Sequence, residues 1–187
     1  VRRDWCIQSR DTGRLVTEQI LSVQDKEVVL DRIYTHLEEL ATKMRAGELP
    51  LDKYTITKGL SKHPNEYPDA KSLAHVQVAR RMLLNNQAVN TGDHIPYIIT
   101  ALIVEEGTEP KAVPSVTERA RHPDEIARDP KLKPDVEWYL EQQILPPVSR
   151  LCEPIDGTSQ QLLAKKLGLD ASRFLNVSRS KAGLDED

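Results

Sequence analysis

The sequence predicts a mainly α-helical chain of the α+β kind, with a few short β-strands. Apolar residues recur at three- and four-residue steps along most of its length. Alternating or β-branched runs are confined to two short places, near Tyr54–Lys58 and Ile95–Ile99. No repeat and no long linker divides it, so it reads as one mostly helical unit.

In chain order, a first helix is predicted from Trp5 to Leu21, with Trp5, Leu15, Val16 and Ile20 as its apolar positions and Gly13 as a weak point. Gln24-Asp25 then offers a start signal. Val28, Val29, Ile33, Leu37, Leu40, Ala41 and Met44 form one face of an amphipathic helix that stops at Gly47. After Pro50, the alternation of Tyr54, Ile56 and Lys58 with threonines suits a short strand. Turns follow at Pro64 and Pro68, and Ser72 is the expected N-cap of a helix presenting Leu73, Val76, Ala79 and Leu83. Asn85-Asn86 ends it, and Thr91-Gly92-Asp93 is a turn. Ile95, Tyr97, Ile98 and Ile99 form a second strand, with Leu102–Val104 as a possible extension. Pro96 should place this strand at an edge or a bulge. His122-Pro123-Asp124-Glu125 opens a short helix, with proline near its first position and acids in its first turn. Asp135 caps a longer helix through Trp138, Leu140, Ile144, Val148 and Leu151, which Pro146-Pro147 must kink or interrupt. Ser159–Leu167 is a last helix, stopped by Gly168, and a polar tail is expected to fray.

Composition excludes several functions. Hydrophobic content is 39% and net charge −3, so any polyanion binding must come from a local patch. The two cysteines, Cys6 and Cys152, are too few for a disulfide framework or a zinc site and read as reduced buried thiols of an intracellular protein. No apolar run is long enough to span a membrane, and there is no signal peptide. The chain opens VRRDW without methionine, as a piece of a longer protein would. Asn176-Val177-Ser178 fits a glycosylation sequon, which has no meaning without secretion. Asp11-Thr12-Gly13 matches the triplet of aspartic proteases but lacks the preceding apolar strand and a second carboxylate. None of the five histidines has a ligand partner at helical spacing, and no phosphate loop is present. No catalytic residue and no metal site is expected.

One stretch stands apart. Lys58 to Arg81 holds Lys58, Lys62, Lys71, Arg80 and Arg81 against only Glu66 and Asp69. Lys58 and Lys62 flank Ser61 on turns ahead of a helix. Point charges, a hydroxyl and backbone N–H groups are what phosphate oxygens need. Tyr54 and Tyr67 are its only aromatic side chains or neighbours, so the pattern fits a grip on a duplex backbone better than a reader of unstacked bases.

The blocks RRDWC (Arg2–Cys6), DTG…QIL (Asp11–Leu21), LSKHPNEYPDAKSLAHVQVA (Leu60–Ala79), GDHIPYII (Gly92–Ile99), WYLEQQILPPVSRLCEPIDG (Trp138–Gly157) and GLDASRF (Gly168–Phe174) resemble, in order and spacing, the thumb of B-family DNA polymerases of the alpha type. The resemblance covers almost the whole chain. It implies residues 1–6 as the end of the palm, 7–175 as a helical thumb domain and 176–187 as the tail. It further implies a replicative, nuclear, DNA-directed DNA polymerase as the parent, which extends RNA primers with Mg²⁺ held in a palm outside this chain. This piece alone would be inactive and without cofactor. The implied partners are the RNA/DNA primer–template duplex, the palm, and, through the parent, primase and an accessory subunit, with no membrane.

By the same resemblance, Lys58, Ser61, Lys62, Lys71 and His75 lie along the duplex backbone. Arg2 and Arg3 touch the duplex near its growing end or brace Asp4. Arg119 contacts the backbone or pairs with an acid. There are departures. Ala74 stands where the family often has proline, LLNNQAVN lacks the usual basic residues, and Glu105–Ser115 matches nothing and reads as a lineage-specific loop. The rival expectation is a helical protein-interaction module, which would leave the apolar stripe of the Asp25–Met44 helix uncovered.

Overall fold

A computed structural model describes residues 4–22, 24–102 and 114–177. The chain divides into two compact units where the sequence alone reads as one. The first comprises the residues up to Ile7 together with Pro50–Asp135. The second comprises Gln8–Leu49 together with the residues from Val136 onward.

The first unit is built around a small antiparallel sheet. Strand β1 (Ile56–Gly59) pairs with β2 (His94–Ile99), which pairs in turn with the two-residue β3 (Ala120–Arg121). The register sets Ile56 opposite Tyr97 and Lys58 opposite Ile95. Ile56, Ile95, Tyr97, Ile98, Ile99 and Ala120 are buried, and helix α3 (Ala74–Leu84) lays Val76, Val78 and Ala79 against the sheet. Burying each branched side chain of this kind contributes roughly 1.5–3 kcal/mol before entropy is subtracted. Helix α4 (Pro123–Arg128) opens as its sequence suggests. His122 accepts from the Asp124 amide, and Glu125 accepts from the His122 amide, closing a capping box.

Four expectations need correction here. Residues Leu51–Tyr54 wind into a 3₁₀ turn, so β1 starts only at Ile56 and Tyr54 anchors the turn from inside. Ser72 does not cap α3. It closes a 3₁₀ turn at Ala70–Ser72, with its hydroxyl donating to the Asp69 carbonyl, and Leu73 is the residue at the cap. Pro96 lies in the middle strand rather than an edge strand. It is tolerated because β3 reaches only Ile98 and Ile99, leaving Pro96 paired on one side, opposite Thr57. Finally, Thr100–Leu102 do not continue the strand. Thr100 bridges Pro134, and the Ala101 amide donates to the Lys133 carbonyl. Ile103 and Val104, like nearly all of the Glu105–Ser115 loop, lie outside the described residues.

The second unit is helical. It holds α1 (Ile7–Leu21, from Gln8 on), α2 (Lys26–Arg45), α5 (Val136–Tyr139), α6 (Leu145–Cys152) and α7 (Gln160–Lys166). On α2, Val29, Leu30, Ile33, Leu37, Leu40, Ala41 and Met44 are buried, so the apolar stripe is used inside the chain. Val28, expected on that stripe, is exposed instead. Helix α7 packs on α2 and α6, with Ser159 as its N-cap. Its C-terminal Gly168 has φ +73, and a Cβ there would fall 2.5 Å from the Arg45 guanidinium. The left-handed backbone favours glycine, and a side chain would also have to displace the Arg45 guanidinium.

Between α5 and α6 the helix is interrupted, as the prolines require, by a π-turn at Leu140–Ile144. Pro146 and Pro147 cannot donate to the carbonyls four residues back, and widening the preceding turn removes the ring clash. The Gln143 carbonyl, which Pro147 cannot serve, accepts instead from the Ser9 hydroxyl. Both cysteines are free and buried, and burial pushes the Cys152 thiol up to about 11. Asp11-Thr12-Gly13 is part of α1, with Thr12 buried, far from a protease loop.

Candidate nucleic-acid interface

The basic stretch belongs wholly to the first unit. It runs from β1 through the loop 60–73 into α3. The loop is fastened at its start by backbone bonds, from the Leu60 amide to the Asp93 carbonyl and from the Gly92 amide to the Leu60 carbonyl. Tyr67 fastens its middle. Its ring is buried, and its phenol oxygen accepts from the Ser61 amide at 2.9 Å and lies 3.0 Å from the Ser61 hydroxyl. Hydrogen bonding with Ser61, through its side chain first, draws the Tyr67 pKa below its ordinary value. Arg80, on α3, donates to the Pro64 and Tyr67 carbonyls and so ties the loop to the helix. The far end is pinned by Thr117, whose hydroxyl donates to the Lys71 carbonyl at 2.7 Å.

This scaffold leaves three of the predicted cations at the surface. Lys58 is exposed and lies 3.2 Å from Asp4. Lys62 is exposed, with its ammonium 5.3 Å from the centre of the Tyr67 ring, within cation–π range. Lys71 is exposed and makes no ion pair among the described residues. Ser61 is exposed beside Lys62. Arg2 and Arg3 lie outside the described residues.

The other predicted contacts are turned elsewhere. His75 is 4% exposed, with its ring edge-on to Tyr67 at 6.1 Å, so a direct phosphate contact is closed to it. Burial, then the charge of Lys58, lowers its pKa, with Asp4 opposing, and the interior favours neutral imidazole. Arg119 takes the second of its two expected roles. It donates to the Asp135 carboxylate at 2.7 Å and to the Thr100 carbonyl at 2.8 Å, with its side chain 13% exposed. Arg81 is spent in the same way, on Glu125 and the Ala120 carbonyl.

Tyr67, Arg80, Asp4 and Thr117 organise this surface, and sequence reasoning did not assign them. The available signal was Tyr67 itself, since an aromatic ring between two prolines in a polar loop needs something to cover it. The one sequence signal that separates Arg80 and Arg81, which are used internally, from the lysines is residue type, since a guanidinium suits internal clasps better than an ammonium.

The Mg²⁺ ions that the resemblance places in a palm do not fit this chain. Among the described residues no group of three or more His, Cys, Asp or Glu could hold a metal ion. Asp4 and Asp135 face Lys58 and Arg119, and Asp93 accepts from the Asn90 amide. Among the described residues no helix is long and apolar enough to cross a membrane.

The sequence profile of DNA polymerase family B matches residues 1–155. The chain belongs to DNA polymerase family B. It is 44% identical over 176 residues to the DNA polymerase alpha catalytic subunit of Oryza sativa, covering 93% of this chain and 11% of that protein. It is 40% identical to the mouse alpha subunit over 177 residues, and 37% to that of Saccharomyces cerevisiae over 174, covering 93% and 92% of this chain and 11% and 12% of those proteins. The chain thus spans about a tenth of the length of these relatives. Its fold matches part of the family B DNA polymerase of the archaeon Pyrobaculum calidifontis, with a TM-score of 0.66 at 24% identity, over 85% of this chain and 19% of that one.

Proposed function

We propose that this family B chain is the thumb of an alpha-type replicative DNA polymerase, and that it holds the primer–template duplex by its backbone. The parent would be a nuclear, DNA-directed DNA polymerase that extends RNA primers. Its palm would carry the Mg²⁺ ions and close the cleft from the other side, and primase and an accessory subunit would join through other parts of the parent. The chain alone would have no catalysis of its own.

The observation that supports the grip is the exposed series Lys58, Lys62 and Lys71, with Ser61 among them, on a loop held by Tyr67 and Arg80. Lysine supplies point charges to phosphates without reading bases, which suits a surface that must accept every sequence. A duplex begun as RNA on DNA is A-like, and its backbone and wide minor groove are what a side chain can reach. The interaction-module reading needed an open apolar stripe on α2, and that stripe is buried.

The test is a salt titration of binding to an RNA–DNA hybrid, duplex DNA and single strands. The three lysines, with Arg2 and Arg3, provide three to five phosphate contacts. For duplex DNA that gives a log–log slope of roughly −3 to −4.5. Tighter binding to duplexes than to single strands, with a slope that shrinks in Lys62→Ala, is the expected result. No measurable binding at low salt would overturn the grip.

A further inference from the structure

We infer that Tyr67 is the positioning residue of this grip, orienting the Ser61 hydroxyl as a hydrogen-bond donor to a phosphate oxygen while its ring holds Lys62 beside it. The inference rests on the duplex-binding reading above and adds a residue that makes no phosphate contact of its own.

The argument starts from the protons. The Ser61 amide has one hydrogen, and it is given to the Tyr67 phenol oxygen at 2.9 Å. The same oxygen lies 3.0 Å from Ser61 Oγ. Among the described residues the Lys62 amide also approaches the phenol oxygen as a donor. With amide hydrogens already directed at its lone pairs, the phenol has its own hydrogen to give, and Ser61 Oγ is the acceptor within reach. With Tyr67 as donor, Ser61 Oγ accepts and its own hydrogen is left to point outward. The sequence of bonds runs from the Ser61 amide through the Tyr67 hydroxyl to the Ser61 hydroxyl. Each bond polarises the next, so the terminal donor is strengthened toward an anion. Ser61 is exposed, so that donor is available to a ligand.

The ring does a second task. The Lys62 ammonium lies 5.3 Å from the ring centre, which restrains a flexible cation next to the Ser61 donor without burying it. Tyr67 is itself fixed, by His75 at its edge and by Arg80 on its carbonyl. A cation and a neutral donor adjacent in sequence, held by one buried ring, match a non-bridging phosphate oxygen pair on one strand.

The experiment is a double-mutant cycle on duplex binding by the full chain, using Tyr67→Phe, Ser61→Ala and the pair. Melting temperature and salt slope are read for each protein. Tyr67→Phe keeps the ring and loses only the hydroxyl. It should weaken binding about tenfold with the slope unchanged, since no cation is lost. Ser61→Ala should do the same, the pair should be no worse than either alone, and Ser61→Thr should restore binding. Wild-type affinity in Tyr67→Phe, or losses that add in the pair, would overturn the relay while leaving the lysine grip standing. A slope about one unit shallower in Tyr67→Phe would also overturn it, because the hydroxyl would then serve only to place Lys62. Failure of the wild-type chain to bind any duplex would overturn the duplex reading, and the inference with it.

Discussion

Two parts of the first unit use basic side chains in opposite ways. Along 58–71, lysines sit on a loop whose backbone and one buried tyrosine carry the structure, and their ammonium groups face water. At Arg81 and Arg119, arginines are built into the unit. Arg119 clasps Asp135 and the Thr100 carbonyl, and the helix-borne Arg81 reaches Glu125 and the Ala120 carbonyl. In the first region the charge is available and the fold does not need it. In the second the fold consumes it. A planar guanidinium serves a carboxylate and a carbonyl at once, which suits internal clasps, whereas a hydrated ammonium is easily left at the surface. Counting positive residues along the sequence treats these arginines and lysines alike, and of them only the lysines are free to meet a phosphate.

The largest effect should come from breaking the consumed side. Arg119→Ala leaves the Asp135 carboxylate and the Thr100 carbonyl without their partner in a site where both charged side chains are mostly covered. A loss of about 2–3 kcal/mol in denaturant unfolding is expected, below the range for fully buried pairs because water still reaches the site. The salt slope of whatever folded protein remains should not move.

Lys62→Ala should do the reverse. Stability should stay within about 0.5 kcal/mol, as for an ordinary surface change, while the log–log slope becomes shallower by about 0.9. A stability loss without a change of slope would move Lys62 to the other class.

His75 sharpens the comparison, because the resemblance groups it with the lysines and the structure places it inside. It faces Tyr67, Lys58 and Asp4. Its folded pKa is lowered from 6.5, so the unfolded chain binds the proton more readily. Its contribution is therefore full above pH 6.5 and is lost as pH falls through 6.5 toward the lower folded value. The slope cannot exceed about 1.4 kcal/mol per pH unit for one proton. His75→Gln should flatten part of the pH dependence of unfolding measured between pH 7 and 5. His36, also lowered by burial, accounts for some of the remainder.

The smallest effect concerns Lys58, which stands between the two classes. Asp4 lies 3.2 Å from its ammonium, and an exposed pair of this kind contributes under about 1 kcal/mol. A phosphate must compete with that carboxylate. Asp4→Asn should tighten duplex binding about two- to threefold at low salt, and the gain should fade as salt rises. Unchanged binding would mean that Lys58 does not meet the duplex.

Much of this architecture was legible in the residues. The α2 stripe is a run of three- and four-residue steps that only a helix can turn to one side, and it is buried except at Val28. Gly47 and Gly168 end helices with positive φ, where a side chain would be strained. His122-Pro123-Asp124-Glu125 marked the opening of a short helix, because a helix start depends on near neighbours, and the structure adds a capping box there. What escaped were relations set by distant residues. Pro96 sits in a middle strand because β3 happens to be two residues long. Ser72 lost its cap role to a turn formed by Asp69. The prolines at 146 and 147 are met by a π-turn and by a hydroxyl from Ser9.

The sequence by itself determined which segments are helical, where they stop, and that positive charge gathers between Lys58 and Arg81, because these depend on periodicity, backbone strain and composition read locally. Only the tertiary structure decided which of those charges remain at the surface. That choice depends on whether a carboxylate or carbonyl well beyond the local turn comes within about 3 Å, as Asp135 does for Arg119 and nothing described does for Lys71. Charge is a property of the residue, but its availability is a property of the packing around it.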